Sequence, residues 1–187
     1  MTYRLEKNYD DLYMNGGFGY DRASEAEFLG LLFEPDRDRP ALLDIGCGDG
    51  FWSAILHEWY VVTGIDISRV AIDVAKRRYP HCAFLHGDFL KSSFKPPYDV
   101  TFCRAPSFLN VPTESEEFMF NAGKVMAATR RRMIFIQWVK EPYGEWDEKG
   151  VLFMHEPDFV AHRLSEFGKT SVKLVSNYMV CEVLSNV

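Results

Sequence analysis

Cysteine is scarce in this chain of 187 residues, and its four thiols follow no recognised pattern. They stand at Cys47, Cys82, Cys103 and Cys181, with no CxxC pair and no metal-site spacing. We therefore predict no metal site. We expect reduced thiols and a cytoplasmic protein, because disulfides persist mainly in oxidising compartments.

Long apolar runs are also missing from the sequence. No run approaches the ~20 residues that span a bilayer, so we expect no membrane partner. The opening segment Tyr3 to Asp11 mixes charged and polar side chains, which does not fit a signal peptide. Repeats and low-complexity segments are absent too. The composition, 47% hydrophobic and 26% charged, is that of a globular domain.

An excess of basic residues is the third absence, since the formal net charge is −6. A protein that binds nucleic acid normally presents a basic face to the phosphates. Here the basic residues are scattered, and the densest run, Arg130 to Arg132, is predicted to end a helix. This pattern disfavours a nucleic-acid partner. The aromatic content of 15% suits a small-molecule pocket instead.

One charged segment bounded by prolines, Glu34 to Pro40, divides the chain. It separates an N-terminal arm, residues 1–40, from a main domain at residues 41–187. The arm is too short to be an independent domain. Within it, Ser24 to Glu27 fits a capping box and predicts the start of a helix.

After this linker the sequence alternates between strand and helix patterns. Predicted strands lie at Ala41–Ile45, Val61–Ile65, Ala83–Leu85, Asp99–Cys103 and Met133–Val139. Ser68 is predicted to cap one helix, and a capping box at Thr113 to Glu116 begins another. Such alternation predicts βαβ units and a mostly parallel sheet with helices on both faces, a three-layer α/β sandwich.

The C-terminal part has a different pattern. A helix is predicted from Pro157 to Phe167, followed by strands at Ser171–Val175 and Met179–Leu184. The short turn around Ser176 and Asn177 permits antiparallel pairing and excludes a parallel crossover. The predicted sheet therefore has seven strands, and the last is antiparallel.

Three glycines alternate directly after an acid in the loop from Asp44 to Gly50. A glycine-rich turn between a strand and a helix lets a ligand approach the backbone closely. The dinucleotide pattern G-x-G-x-x-G fails here, because Phe51 or Ser53 stands where the third glycine should be. The Walker pattern fails as well, since no Gly-Lys-Ser/Thr follows.

This loop resembles motif I of the class I S-adenosylmethionine-dependent methyltransferases, an acid followed by x-Gly-x-Gly-x-Gly. The resemblance runs from about Ala41 to the end of the chain. It is supported by Asp66 after the second strand, by Asp88-Phe89 after the third, and by Tyr98-Asp99-Val100 entering the fourth. The closing helix and hairpin also match the family.

The family resemblance implies S-adenosylmethionine as donor and S-adenosylhomocysteine as product. It assigns Asp66 to the ribose hydroxyls, Asp88 with Phe89 to the adenine, and Asp44 to the sulfonium end. Helix capping remains an alternative for Asp66 and Asp88. We interpret Cys47 as a packing residue rather than a redox group. The predicted donor-binding residues are Asp44, Gly46, Cys47, Gly48, Gly50, Asp66, Ile67, Asp88, Phe89, Cys103 and Arg104.

The same resemblance places the methyl group against residues just after the fourth strand, at Cys103 to Asn110. This segment lacks the Asn/Asp-Pro-Pro-Tyr/Phe motif of amino methyltransferases acting on adenine or glutamine. Arg104 is a candidate for holding a carboxylate or phosphate of the substrate, or else pairs with a local acid. A general base, if one is needed, is expected at His155 or Tyr13.

No appended substrate domain is predicted. A lid over the site would come from the arm, from residues 104–113 and from residues 140–156. The aromatic candidates for it include Tyr9, Tyr13, Tyr20, Trp138, Tyr143 and Trp146. The expected acceptor is a small molecule. Two alternatives stay open: a non-catalytic module that binds the sulfur nucleotides, and another sulfonium reaction such as aminopropyl transfer. The sequence does not predict the acceptor atom or the oligomeric state.

Overall fold

The structure is a computed structural model that describes residues 2–17, 19, 21–30, 32, 38–150 and 152–186. The chain forms two compact units, Met1–Ser93 and Phe94–Val187. Tyr20 and residues 34–37 of the predicted linker lie outside the described residues. No helix of the described ranges is long and apolar enough to cross a membrane.

The first unit contains two N-terminal helices followed by three strands with helices between them. In chain order these are α1 (Thr2–Met14), α2 (Arg22–Gly30), β1 (Ala41–Ile45), α3 (Phe51–Leu56), β2 (Val61–Asp66), α4 (Arg69–Arg78) and β3 (Ala83–His86). β2 pairs in parallel with both β1 and β3. Leu42, Leu43 and Ile45 are buried, as expected for a parallel strand covered on both faces. The carboxyl ends of all three strands therefore lie at one edge.

The second unit begins with a parallel pair and ends with a hairpin. Its elements are β4 (Tyr98–Arg104), α5 (Glu116–Ala127), β5 (Thr129–Trp138), α6 (Pro157–Leu164), β6 (Gly168–Val175) and β7 (Tyr178–Ser185). β4 and β5 are parallel, whereas β7 runs antiparallel to both β5 and β6. The turn at residues 176–177 has only two residues, and Ser176 takes a φ of 55°.

The sheet has seven strands in the order β3-β2-β1-β4-β5-β7-β6. The predicted fold class, a mostly parallel seven-stranded sheet with helices packed around it and an antiparallel final strand, is confirmed. The predicted cap of α4 is present: Ser68 Oγ accepts a hydrogen bond from Ala71 N. The capping box at Thr113 to Glu116 places the start of α5 too early. Ser115, not Thr113, is the cap, and its Oγ accepts a hydrogen bond from Phe118 N, while the Thr113 hydroxyl lies 2.7 Å from His155 Nδ1.

The arginine run does not end a helix, and that prediction is wrong. α5 stops at Ala127, and Arg130 to Arg132 lie within β5. Arg130 forms an ion pair with Asp99 on the neighbouring strand β4, and Arg132 pairs with Glu182 on β7 at 3.0 Å. The basic side chains are thus used in cross-strand pairs.

The helix of the arm begins earlier than the capping box predicts. α2 starts at Arg22, and Asp21 performs the capping: its Oδ2 accepts hydrogen bonds from the Ser24 backbone at 3.0 Å and from the Ser24 hydroxyl at 2.6 Å. α1 precedes it and is a full helix of 13 residues, which the sequence analysis did not predict.

Candidate functional site

The glycine loop joins β1 to α3 at the carboxyl edge of the first unit. The amides of Gly46 and Cys47 both donate to the carbonyl of Ile65, at 2.8 and 3.1 Å. Gly48 and Gly50 take φ values of +54° and +81°, which side-chain-bearing residues rarely adopt. A Cβ at Gly50 would also lie 2.7 Å from Cζ of Phe84. The loop therefore requires glycine on both dihedral and steric grounds.

Asp66, at the end of β2, faces this loop. Its Oδ2 accepts a hydrogen bond from Gly48 N and its Oδ1 accepts one from Ser68 N, both at 2.8 Å. Burial raises the pKa of Asp66, and the two backbone hydrogen bonds oppose that shift. Ser68, not Asp66, caps α4. Each carboxylate oxygen keeps a further lone pair, so the group can also accept from two hydroxyls of a ligand.

Asp44, at the end of β1, lies deeper in the same edge. Its side chain is buried, and Oδ2 accepts a hydrogen bond from the Ser53 hydroxyl at 2.5 Å. Burial raises the pKa of Asp44 to about 7; the Ser53 bond opposes this rise and the nearby Asp66 adds to it. The two buried carboxylates therefore interact unfavourably, and a cation bound near them would stabilise both.

Cys47 lies near both acids and packs against Gly64 of β2. A Cβ added at Gly64 would sit 2.7 Å from Cys47 Sγ, so the thiol fills the space that this glycine leaves open. Burial raises the pKa of Cys47 well above its usual value, and Asp44 and Asp66 raise it further. A thiol in this environment stays protonated, which agrees with the interpretation of Cys47 as a packing residue.

Asp88 and Phe89 follow β3, as the resemblance requires. Asp88 caps a single 3-10 turn: its Oδ1 accepts a hydrogen bond from Leu90 N at 3.1 Å, while Oδ2 lies 3.2 Å from Lys91 Nζ. Phe89 is buried. The carbonyl of Ile67 lies 3.1 Å from His86 Nε2. Asp88 therefore caps this 3-10 turn and also lies just after the carboxyl end of β3.

Helix α1 contributes contacts to this edge that sequence reasoning missed. Asp10 Oδ1 accepts hydrogen bonds from Ser68 Oγ at 2.6 Å and from Val70 N at 3.1 Å. Glu6 Oε1 lies 3.1 Å from His86 Nε2. The Tyr13 hydroxyl lies directly against Gly48, where an added Cβ would overlap it. Glu6, Asp10 and Tyr13 are spaced i, i+4, i+7, a spacing that places them on one helix face.

The remaining predicted residues belong to the second unit. Cys103 is fully buried in β4. Arg104, the last residue of that strand, donates from Nη2 to the Tyr178 hydroxyl at 3.2 Å, and its guanidinium carbon lies 5.3 Å from the centre of that ring. Ala105 follows with a φ of 47°. Arg104 thus contacts an aromatic ring and its hydroxyl.

His155 is fully buried, within an aromatic cluster. Its ring centre lies 5.2 Å from that of Phe153, 5.7 Å from Phe118 and 5.9 Å from Phe135, and its Nδ1 lies 2.7 Å from the Thr113 hydroxyl. Burial lowers the pKa of His155 to about 4. The imidazole is therefore neutral at physiological pH and faces protein groups.

The charge at the first unit's edge decides which ligands it can hold. Asp44 and Asp66 are buried there, and Asp49 sits in the same loop, paired with Arg78 at 2.7 Å. Anionic diphosphates would meet these carboxylates unfavourably, whereas a sulfonium or ammonium group would be attracted. Among the described residues, no group of three or more His, Cys, Asp or Glu side chains could hold a metal ion.

Comparison with known proteins gives a family match and distant relatives. Residues 42–128 match a family described as "Methyltransferase domain". Trans-aconitate 2-methyltransferase of Yersinia pestis (strain Pestoides F) is 29% identical over 90 residues, covering 39% of this chain and 35% of the relative. The same enzyme of Escherichia fergusonii is 33% identical over 94 residues, covering 41% and 37%. The chain spans about a third of the length of these curated relatives.

Solved structures resemble the chain along its whole length. Magnesium protoporphyrin IX methyltransferase from Synechocystis PCC 6803, solved with bound SAH, has a TM-score of 0.71 at 15% identity and covers 100% of both chains. A Burkholderia thailandensis 1,6-didemethyltoxoflavin-N1-methyltransferase has a TM-score of 0.71 at 16% identity, covering 98% of this chain and 88% of that one. At such identities these likenesses establish the fold alone.

Proposed function

We propose that the chain transfers a methyl group from S-adenosylmethionine to a small molecule. The match of residues 42–128 to a methyltransferase domain and the seven-stranded sheet order support this proposal. The observation that carries the proposal is the pair of buried carboxylates, Asp44 and Asp66, beside the Gly46–Gly50 loop. This edge suits a ligand that combines ribose hydroxyls with a positively charged sulfur.

The chain's own residues supply binding and alignment in this proposal. Asp66 accepts hydrogen bonds from the ribose hydroxyls, and Asp88 with Phe89 receives the adenine. Asp44 stabilises the positively charged end of the donor. The bound donor supplies an activated methyl group with a good leaving group, so alignment and exclusion of water account for most of the catalysis.

The N-terminal arm, residues 1–40, acts as a lid in this proposal and not as a separate domain. The support is the contact of α1 with the predicted site: Asp10 with Ser68, Glu6 with His86, and Tyr13 with Gly48. A lid that seats on the glycine loop would exclude water from the donor. Tyr13 is the better placed of the two proposed bases, since His155 is fully buried.

The acceptor is proposed as a small molecule because the structurally similar enzymes named above include one acting on 1,6-didemethyltoxoflavin. The curated relatives are named for trans-aconitate, but they match only 39–41% of this chain. Arg104 remains a candidate for an anionic group of the acceptor. We also propose a cytoplasmic location, which the four free, buried thiols support.

The test is a screen of small-molecule acceptors with S-adenosylmethionine, read by release of S-adenosylhomocysteine. We expect release with at least one acceptor class, and we expect Asp66→Asn to slow it at limiting donor concentration by weakening donor binding about tenfold or more. Glu166→Gln, an exposed acid of the second unit, is the control that should leave turnover unchanged. Donor binding without release from any acceptor would favour the non-catalytic binding module instead.

A further inference from the structure

The second unit contains a cavity with a volume of about 300 Å³, large enough for a small metabolite. Its lining comes from the segment before α5, from the connection between β5 and α6, and from the first turn of α6. The residues that matter here are Thr113, Glu114, Tyr143, Phe153, Glu156 and Phe159. None of these belongs to the predicted donor site.

The walls of this cavity are fixed by hydrogen bonds within the second unit. Phe153 N donates to Asn110 Oδ1 at 2.8 Å, which ties the two lining connections together. Gly144 N donates to the carbonyl of Met154, and Met154 N donates to that of Glu145, both at 2.7 Å. A ligand would therefore meet a preformed cavity, and binding would cost little ordering of the loops.

The electrostatics of the cavity favour a positive charge. Glu114 and Glu156 line it with exposed side chains, and no lysine or arginine of the described residues lies in its lining. Thr113, in the wall, is hydrogen-bonded to His155 Nδ1. That imidazole adds no positive charge behind the wall, because its pKa of about 4 keeps it neutral. The two carboxylates are thus unopposed among the lining groups.

Aromatic rings supply the second feature that a cation recognises. Tyr143, Phe153 and Phe159 line the cavity. Trp146 packs edge-on against Phe153, with ring centres 5.6 Å apart, and is 46% exposed. Ring faces attract organic cations, and their apolar surface also accommodates the carbon substituents of an alkylammonium group. A hydrated inorganic cation would not use these rings.

We propose that this cavity binds a small organic cation, with its ammonium group between Glu114 and Glu156 and its carbon substituents against Tyr143 and Phe159. The binding itself does not depend on the donor site, since every residue invoked belongs to the second unit.

Two probes of equal shape and different charge test this directly: choline, and its uncharged carbon isostere 3,3-dimethylbutan-1-ol. Each is titrated into the full chain and followed by NMR of the tyrosine and phenylalanine rings. We expect choline to bind at least about tenfold more tightly than the isostere, because only choline is attracted by the carboxylates. Equal affinities, or no choline binding up to about 50 mM, would overturn the proposal.

Matched variants identify the residues that hold the probe. Glu114→Gln combined with Glu156→Gln should weaken choline binding by about tenfold or more and leave the isostere unchanged. Glu156 precedes α6 without a side-chain capping bond, so its replacement should not disturb the helix. Glu166→Gln removes an exposed charge of the same unit outside the cavity and should have no effect. If Glu166→Gln weakened choline binding as much as the double variant does, the result would contradict a local site.

Failure of this inference can be told apart from failure of the proposed function. Binding of S-adenosylhomocysteine without binding of choline would reject the cation site and leave methyl transfer standing. Choline binding without any binding of the sulfur nucleotides would retain the cavity and reject the methyltransferase proposal.

Discussion

Replacing Asp44 by asparagine should stabilise the free protein, and by an amount that depends on pH. Asp44 is buried, and its carboxylate has one side-chain hydrogen bond, from Ser53. Asparagine has the same shape, keeps an acceptor oxygen for the Ser53 hydroxyl and carries no charge. The variant therefore removes the cost of burying a charge while preserving the packing.

The magnitude follows from the pKa of Asp44, which burial raises from 3.8 to about 7. A folded-state pKa above the unfolded value means that folding favours the protonated acid. The penalty is therefore absent below pH 3.8, grows as pH rises and is complete above pH 7. A shift of this size corresponds to about 4 kcal/mol at pH 8 and about 1 kcal/mol at pH 4.5.

Urea unfolding of the wild type and Asp44→Asn at pH 4.5 and pH 8 measures this difference. We expect the free energy of unfolding of the variant to exceed that of the wild type by little at the lower pH and by several kcal/mol at the higher pH. The dependence of this free energy on urea concentration should be similar in both proteins. Asp49→Asn is the control, since Asp49 lies in the same loop but is paired with Arg78 near the surface. A gain independent of pH, or destabilisation at pH 8, would refute the reasoning.

Three other predictions concern the loop, the core and the donor. Gly50→Ala should destabilise the protein by about 1–3 kcal/mol, because alanine at a φ of 81° would strain the turn and press on Phe84; thermal unfolding measures the loss. Gln137→Met should raise the melting temperature by about 2–4 °C, since Gln137 is buried and its amide has no hydrogen-bond partner among the described residues. Binding of S-adenosylmethionine, measured by calorimetry, should tighten as pH rises through about 7, because the positively charged donor favours ionised Asp44. The sulfur of S-adenosylhomocysteine is uncharged, so the affinity for this product should change less with pH. Asp44→Asn should remove this difference in pH dependence between the two ligands.

Local signals predicted the strand-helix alternation well. The buried run at Ala41–Ile45, the cap at Ser68 and the two-residue link of the final hairpin each act over a few residues. Hydrophobic periodicity and short-range hydrogen bonds determine such features, so they can be predicted from a single sequence. The glycine loop was predictable for the same reason.

The wrong predictions concern features that are determined by residues outside the local sequence pattern. Arg130 and Arg132 form cross-strand pairs with Asp99 and Glu182, and neither partner is near in sequence. Asp21 replaces Ser24 as the cap of α2, because an acid one residue before the helix offered a competing acceptor. At both places the local pattern was misleading, because a residue outside that pattern determined the contact.

The candidate site shows the same division. The residues of the loop and of the strand ends, Asp44, Gly48 and Asp66, come together at one edge of the first unit, as parallel strands require. The contacts of Asp10 with Ser68 and Val70 could not be read from the sequence, because the docking of α1 is a tertiary event. The signal available in the sequence was the i, i+4 spacing of the acids Glu6 and Asp10, which places both on one face of a helix.

Isothermal titration calorimetry of the full chain with S-adenosylmethionine, S-adenosylhomocysteine and NAD tests the central claim most directly. We expect both sulfur nucleotides to bind and NAD not to bind, and we expect Asp66→Asn to weaken both by about tenfold or more through loss of the ribose contacts. Binding of NAD in preference to the sulfur nucleotides, or no binding of either sulfur nucleotide, would contradict it.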